Sequence, residues 1–93
     1  MAFADEQSYE EMISALQNYA SQVEEECNVM EAAGEDCVDN TDGDPAAEKC
    51  SSKLQICTSN IRAATQTILA IAAALQQQME EIRENAARAN QID

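Results

Sequence analysis

The fold is decided by residues 39 to 45, which read Asp-Asn-Thr-Asp-Gly-Asp-Pro. Asp, Asn, Gly and Pro are the residues that tight turns use most. Both glycines and the single proline of this 93-residue chain lie between residues 34 and 45. The rest of the chain has no strong helix breaker. The turn therefore separates two segments, and each of them is expected to be helical.

Apolar and small residues recur on both sides of the turn at steps of three and four, the spacing that places them on one face of a helix. In the first segment they are Tyr9, Ile13, Leu16, Ala20, Val23, Cys27, Met30, Gly34 and Cys37. In the second segment they are Cys50, Leu54, Cys57, Ile61, Ala64, Ile68, Ile71, Leu75, Gln78 and Ile82. We predict a first helix over about residues 6–38, a turn at 39–44 and a second helix over about 45–89.

The start of the second helix is well marked. Asp44 is a good N-cap, Pro45 suits the first helical position, and Glu48 places a negative charge in the first turn. The end of the first helix is open to two interpretations, because Gly34 is either a C-terminal cap or a residue that lets the other helix approach closely. We favour close approach, since the apolar pattern continues to Cys37.

Two long helices joined by a short polar loop fold back on each other in antiparallel orientation. The predicted fold is therefore all-α, a single helical hairpin over residues 1–93, with a second arm that overhangs the first. A lone two-helix hairpin buries little apolar surface. We expect a second copy or a partner protein to complete a four-helix bundle.

The four cysteines all fall on the predicted apolar faces. In an antiparallel hairpin, facing residues have a nearly constant sum of residue numbers, and the nested pairs Cys27–Cys57 and Cys37–Cys50 satisfy this condition within about 4.5 Å of helix rise. We therefore predict two nested disulfides. The alternatives are buried free thiols in a reducing compartment and a zinc site, for which the spacing is poor and no histidine is present. We expect no metal and no cofactor.

The second helix is nearly uncharged from Leu54 to Met79, where Arg62 is the one charged residue. A helix in free contact with water carries more charge, so this segment is expected to be covered on more than one side. The alternative is that alanine simply favours helix and that glutamines at 76–78 solvate the surface. The predicted partner-binding residues are Ile56, Ala63 and Ala70 on one flank and Leu69, Ala72 and Met79 on the other.

The composition excludes several classes of function. The formal net charge is −13, and residues 1–48 hold fourteen acids and no base, which excludes nucleic acid as a partner. The chain has no histidine and no nucleophile with a nearby base, so we predict that it is not an enzyme. It has neither a secretory signal nor an apolar run long enough to span a membrane, so we expect a soluble protein that begins in the cytoplasm.

The turn residues Thr41-Asp42-Gly43, the length and the two-helix pattern resemble the small hairpin substrates of bacterial type VII secretion, the Trp-X-Gly superfamily. Gly43 matches the glycine of the family motif, while Thr41 stands where the tryptophan would be. The family's C-terminal export motif, an aromatic followed four residues later by an acid, is absent from residues 80–93. The resemblance is thus closest to members that lack the tryptophan and accompany polymorphic toxins.

This resemblance implies a secreted or secretion-targeting protein of chaperone type, which acts as a dimer or with a larger client. The client would be the helical N-terminal domain of a toxin, and the composite bundle would be recognised by the secretion machinery. The protein would be cytoplasmic before export, and its own secretion, without a cleaved signal peptide, is left open. The rival hypothesis is a structural or regulatory adaptor that binds a basic protein through its acidic first helix.

Overall fold

The structure, a computed structural model, describes the backbone of residues 2–91 and the side chains of residues 6–90. Helix α1 runs over Ala2–Asn40 and helix α2 over Pro45–Gln91. They pack side by side as a rod of 75 × 15 × 15 Å, and residues 2–91 contain no strand. The prediction of an all-α fold is confirmed, and the packing fits the predicted hairpin. The overhang of α2 is shorter than expected, because α1 begins at Ala2 and its Glu6 contacts Arg83.

The chain reverses through a left-handed cap at the end of α1. Asp42 and Gly43 have positive φ angles of 53° and 74°. The Gly43 N–H donates to the Val38 carbonyl at 2.9 Å, and the Asp42 N–H donates to the Asp39 carbonyl at 3.3 Å. These two bonds form a Schellman motif, which satisfies carbonyls that the helix end would otherwise leave unpaired. Aspartate and glycine are suited to these positions because both tolerate the left-handed region.

Helix α2 begins as its sequence predicts. The Asp44 side chain accepts a hydrogen bond from the Ala47 N–H at 3.2 Å, and its carbonyl accepts one from the Glu48 N–H at 3.0 Å. Pro45, at the first helical position, has no N–H that would need a partner. The cap and the proline together fix where α2 starts, immediately after the reversal.

The interface between the helices follows two series, each with a seven-residue repeat. The central series is buried and consists of Ile13, Ala20 and Cys27 on α1 and Thr58, Thr65, Ala72 and Met79 on α2. The flanking series is half-buried and consists of Tyr9, Leu16, Val23 and Met30 on α1 and Leu54, Ile61, Ile68, Leu75 and Ile82 on α2. A seven-residue repeat of this kind is the pattern of coiled-coil packing.

The prediction for α2 was right for the flanking series and wrong by one residue for the central series. It placed Cys57, Ala64 and Ile71 against α1, whereas each of these residues is exposed and its C-terminal neighbour is buried instead. The flanking series faces α1 in both arrangements and lies midway between the two candidate central series, which are about 100° apart, so the predicted and observed orientations of α2 differ by about 50° of rotation about the helix axis. A search for apolar residues misses this arrangement because two of the buried residues, Thr58 and Thr65, are polar.

This rotation also overturns the predicted disulfides. Cys27 is buried between the helices, whereas Cys37, Cys50 and Cys57 are exposed, and all four thiols are free. The predicted pairs needed Cys50 and Cys57 to point at α1. Since Ser51 and Thr58 occupy those positions, the nested bridges do not form in this structure.

Gly34 lies where the helices approach each other, as we favoured from the sequence. A Cβ atom at this position would lie 3.1 Å from the Ser51 Oγ and 3.3 Å from the Leu54 Cδ2. Both distances are shorter than ordinary van der Waals contact. A larger side chain would therefore force α1 and α2 apart near the turn.

Replacing Gly34 with leucine should lower the free energy of unfolding by about 1–3 kcal/mol, the usual cost of overpacking. Leucine is a better helix former than glycine by up to about 0.8 kcal/mol, so a net loss must come from the crowded interface. The matched control is Ala32→Leu, which adds a side chain to an exposed position two residues away. Urea unfolding followed by circular dichroism measures both variants, and equal stability for the two would contradict the close approach.

Candidate functional site

The two long sides of the hairpin differ in chemistry. One side, here called the polar side, carries ion pairs that join Glu10, Glu24 and Glu31 of α1 to Arg62 and Arg83 of α2. The opposite side is an open groove between the helices with a mostly apolar lining. The polar side holds the helices in position, and the groove is the candidate site.

Arg62 is the centre of the polar side. Its guanidinium binds the Glu31 carboxylate through two parallel hydrogen bonds, both of 2.8 Å. Its Nε also donates to Glu24 at 3.0 Å, and its Nη2 donates to the Asn28 amide oxygen at 2.9 Å. The three acceptors lie on one face of α1 because they are spaced by four and three residues. Arg62 therefore holds two turns of α1 at once, which explains the lone charge in the uncharged stretch of α2.

Thr58 completes this network from inside the interface. Its side chain is fully buried, and its hydroxyl lies 2.5 Å from a Glu31 oxygen and 3.1 Å from the Gln55 carbonyl. A hydroxyl has one proton to donate, and the shorter contact to the charged carboxylate is the stronger of the two. The second buried threonine, Thr65, donates to the Arg62 carbonyl of its own helix at 2.8 Å. Among the described side chains, no buried polar atom lacks a partner.

The hydrogen bonds from Arg62, and then the one from Thr58, lower the pKa of Glu31 from 4.5 to about 2. The bonds with Glu31 and Glu24 raise the pKa of Arg62 further above its usual value. Glu31 therefore stays ionised in the folded protein at pH values that would protonate it in the unfolded chain. Its stabilising effect is complete above about pH 4.5 and is lost as the pH falls towards 2.

A second ion-pair cluster ties the beginning of α1 to the last third of α2. The Arg83 guanidinium contacts Glu6 through Nε and Glu10 through Nη2, the latter at 2.8 Å. These contacts, that with Glu6 first, raise the pKa of Arg83. Arg83 is half-exposed, so its effect is mainly to set the axial position of α1 against α2 rather than to add much stability.

The groove on the opposite side contains two depressions. The first, of about 450 Å³, lies near the open end of the hairpin, and the second, of about 260 Å³, lies nearer the turn. We call this surface the apolar groove. Its main apolar lining residues are Tyr9, Met12, Leu75 and Ile82 in the first depression and Tyr19, Val23, Cys27, Met30 and Ile61 in the second.

Large apolar side chains stand exposed along this groove. Met12 is 51% exposed and Tyr19 is 54% exposed. Ile71 is 45% exposed and lies between the two depressions, on the same side of α2 as the lining residue Leu75 one turn later. It occupies the position that the sequence assigned to the interface. Glu26 is the one charged residue that lines either depression. Apolar surface exposed along a groove makes this side the candidate site for a protein partner.

The residues predicted to bind a partner do not form one surface. Ile56, which is 64% exposed, lies with Ala63 and Ala70 on the side of α2 that faces away from α1. Leu69 borders a depression on the polar side together with Gln17 and Glu24. Ala72 and Met79 are buried between the helices, so their assignment to the partner-binding surface was wrong. The repeat of Cys57, Ala64 and Ile71 indicated the groove in the sequence, but we assigned these residues to the contact with α1.

No protein-family model, curated protein or solved structure matches this chain. Neither helix, over the described residues, has a stretch long and apolar enough to cross a membrane. Within residues 6–90, no three side chains of His, Cys, Asp or Glu come together in a way that could hold a metal ion.

Replacing Glu31 with glutamine should remove a pH-dependent part of the stability. The stability difference between the native protein and Glu31→Gln should be constant above about pH 5 and should shrink between pH 4.5 and 2, because Glu31 has its lowered pKa only in the folded state. Thermal unfolding at a series of pH values measures this difference. Glu25→Gln is the control, since it removes an acid from an exposed position of α1. A difference that stays constant down to pH 2 would show that Arg62 does not hold Glu31 in its ionised form.

Proposed function

We propose that this protein is a small, non-enzymatic partner protein that binds a helical client through its apolar groove and so completes a helical bundle. The observation that carries the proposal is the exposure of Met12, Tyr19 and Ile71 along one side of a hairpin whose opposite side is closed by ion pairs. Full burial of such a side chain is worth about 1.5–3 kcal/mol, and covering the exposed half of each one adds about half of that. Together these side chains favour association with an apolar client.

The groove also indicates the shape and chemistry of the client. It runs between two parallel rows of side chains along a rod, and a helix or a pair of helices fits such a surface by packing its apolar face into it. The lining carries little charge, so the docking face of the client is apolar as well. Glu26, at the edge of the second depression, favours a lysine or arginine on the client opposite it.

The positions of the titratable groups with shifted pKa values support a non-enzymatic role. Glu31, Arg62 and Arg83 are engaged in ion pairs between α1 and α2, where they serve the packing of the hairpin. Displaced pKa values identify catalytic residues when the groups face a cleft. Here they lie on the side opposite the apolar groove.

We propose type VII secretion as the setting, on the strength of the hairpin and of the turn residues Thr41-Asp42-Gly43. Gly43 has the left-handed conformation that a glycine allows. Thr41 has a local role, since its hydroxyl donates to the Cys37 carbonyl at 2.8 Å. In this setting the protein acts as a chaperone or targeting partner of a toxin's helical N-terminal domain, in the cytoplasm before export and alongside its client during export.

The acidic surface of α1 favours a second candidate, an adaptor for a basic protein. The exposed acids of α1 that take no part in the ion pairs include Glu11, Glu25, Glu35, Asp36 and Asp39. Binding through these residues would weaken strongly between 50 mM and 500 mM salt, because exposed charges are screened. Binding through the apolar groove would change little over the same range, so a salt series separates the two candidates.

Ile71→Glu should abolish binding of the client, because it places a charge in the middle of the apolar groove, whereas Ile56→Glu should leave binding unchanged. Ile56 is the more exposed of the two residues but lies on the outer side of α2. The measurement is co-purification with the N-terminal helical domain of a toxin encoded beside this gene. Equal binding by the two variants, or loss of binding by Ile56→Glu alone, would place the docking surface elsewhere.

Deletion of the gene should stop secretion or accumulation of one specific client and leave unrelated secreted proteins unchanged. Mass spectrometry of the culture medium, compared between the deletion strain and the parent, measures this effect. Complementation with Ile56→Glu should restore secretion, and complementation with Ile71→Glu should not. If every secreted protein still reaches the medium without this gene, the secretion setting is wrong.

A further inference from the structure

We propose that the hairpin is a redox switch with a second, oxidised form, in which α2 is turned by about 50° about its own axis. Two nested disulfides hold α2 in that orientation: an outer pair, Cys27–Cys57, and an inner pair, Cys37–Cys50. The orientation in which all four thiols are free is then that of the reduced form. The bridges and the rotation concern the hairpin alone and do not depend on a client or on type VII secretion.

The axial register and the α1 thiols already suit these bridges. Gly34 lies against Ser51, so facing residues have numbers that sum to 85. The outer pair sums to 84 and the inner pair to 87, which places the partners within about 1.5 and 3 Å of each other along the rod. Cys27 lines the second depression, and Cys37 continues the flanking series of α1 seven residues beyond Met30. Neither axial movement nor rotation of α1 is therefore needed.

The angular position of Cys50 and Cys57 is what separates the thiols. Both are exposed, and they lie further round the groove side of α2 than the flanking residues Leu54 and Ile61. Thiols that point apart cannot be joined without movement of the backbone. A turn of about 50° gives Cys50 and Cys57 the angle that the flanking residues have now. With helix axes about 8–9 Å apart, the Cα atoms of both pairs then lie about 6 Å from each other, a common separation in disulfides.

The residues that change places are compatible with either orientation. Thr58 and Thr65 leave the interface for the polar side, where water binds their hydroxyl groups. Ala64 and Ile71, which are now exposed, take their places against α1, and burial of these apolar side chains is favourable. Gln78 is the one polar residue of this series that enters the interface. The sequence of α2 thus contains two faces that α1 can cover.

The oxidised form loses the contacts of Arg62. The turn carries Arg62 away from Glu31, whose side chain is 24% exposed and is hydrated when released. Without the bridges these contacts hold α2 in its present orientation. Two covalent bridges constrain both levels of the hairpin, and they outweigh ion pairs at the rim of the interface, where water competes for the charges.

The movement itself is small. A rotation of about 50° displaces each Cα atom of α2 by about 2 Å, which is the scale of the helix shifts that proteins use as switches. Residues 41–44, which lie between the two helices, absorb it. The redox state of four thiols therefore selects one of two closely related packings.

Each bridge forms by thiol–disulfide exchange with a low-molecular-weight disulfide such as oxidised glutathione. In the outer pair, the exposed Cys57 thiolate attacks one sulfur of the oxidant and displaces one glutathione thiolate. The Cys27 thiol loses its proton to water, attacks the Cys57 sulfur and displaces the second glutathione. Two cysteine thiols are oxidised to one disulfide, and one molecule of oxidant is reduced to two thiols. The inner pair reacts in the same way.

Oxidation also changes the apolar groove. Ile71 moves from the groove to the contact with α1, so the oxidised hairpin lacks the middle of the surface proposed to bind a client. Oxidation therefore releases the client. This consequence rests on the proposed function, whereas the two bridges and the rotation do not.

Treatment of the full chain with oxidised glutathione, followed by mass spectrometry without reduction, tests the bridges. Glu31 and Glu35 separate the cysteines of α1, and Lys49 and Lys53 separate the others. Trypsin and a glutamate-specific protease together therefore place the four cysteines on four peptides. We expect the peptides of the outer pair to be joined to each other, and likewise those of the inner pair. Any other pairing, cross-linked copies, or cysteines that stay free or carry only glutathione would overturn the proposal.

The pKa of Glu31, measured by NMR titration of its carboxyl carbon, tests the rotation. It should be about 2 in the reduced protein and rise towards 4.5 in the oxidised protein, because Arg62 and Thr58 no longer donate to it. The control variant, Cys27→Ala with Cys37→Ser, lacks the α1 thiols and should keep the low pKa after the same treatment. Native protein treated with reduced glutathione is a second control, and circular dichroism checks that each sample is helical.

Two results would contradict the rotation. One is bridges that form while Glu31 keeps its low pKa, since α2 would then have stayed in its present orientation. The other is a rise of the pKa in the control variant as well, since the bridges would not be its cause. No client is present in either measurement, so failure here is distinct from failure of the client-binding test.

Discussion

The contact of Arg62 with Glu31 fixes the rotation of α2 about its own axis, and most other properties of the hairpin depend on that rotation. The guanidinium reaches the carboxylate through two hydrogen bonds, and Thr58 reaches the same carboxylate from the interface. Turning α2 by about 50°, to the orientation that the apolar pattern predicts, would carry Arg62 away from α1 and leave the half-buried Glu31 without its partner. An uncompensated charge at such a position is costly, so the network selects one rotation among two that the apolar pattern allows.

At the two exchanges Ile71 for Ala72 and Gln78 for Met79, neither orientation has a clear advantage, so the polar contacts of Arg62 and Thr58 decide between them. The alternative rotation would bury Ile71 in place of Ala72, a gain of about 1.5–3 kcal/mol at most. It would also bury Gln78 in place of Met79, which loses the burial of a methionine and leaves an amide to be satisfied at a cost of about 1–3 kcal/mol. The observed rotation places Met79 in the core with Ile13 and Ala72 and leaves Ile71 at the surface.

The local structure at the turn and at the start of α2 was predictable from the sequence, because it depends on the properties of neighbouring residues. The reversal at Asp42 and Gly43, the cap at Asp44 and the close approach at Gly34 each follow from the properties of one or two side chains. The rotation of α2 was not predictable in this way, because it depends on contacts between residues 27 to 38 positions apart. Threonine is also ambiguous in a pattern search, since it is polar by composition and can still be buried when its hydroxyl has a partner. The disulfides and the assignment of Ala72 and Met79 to the partner-binding face failed together because both were built on the same one-residue error.

The apolar stripe on α2 is wider than contact with α1 alone requires. A helix that packs against a single partner needs only a narrow apolar stripe, whereas a helix in a larger bundle needs a stripe wider than about 100°. In α2 the buried residues Thr58, Thr65 and Ala72 are each preceded by an exposed one that is also small or apolar, and together with Leu54, Ile61 and Ile68 they form a stripe of the wider kind. The sequence prediction followed the half of this stripe that contains Cys57, Ala64 and Ile71, while α1 covers the other half. The uncovered half is the lining of the apolar groove, so the same residues that misplaced the interhelix contact mark the surface at which we propose a further helix to pack.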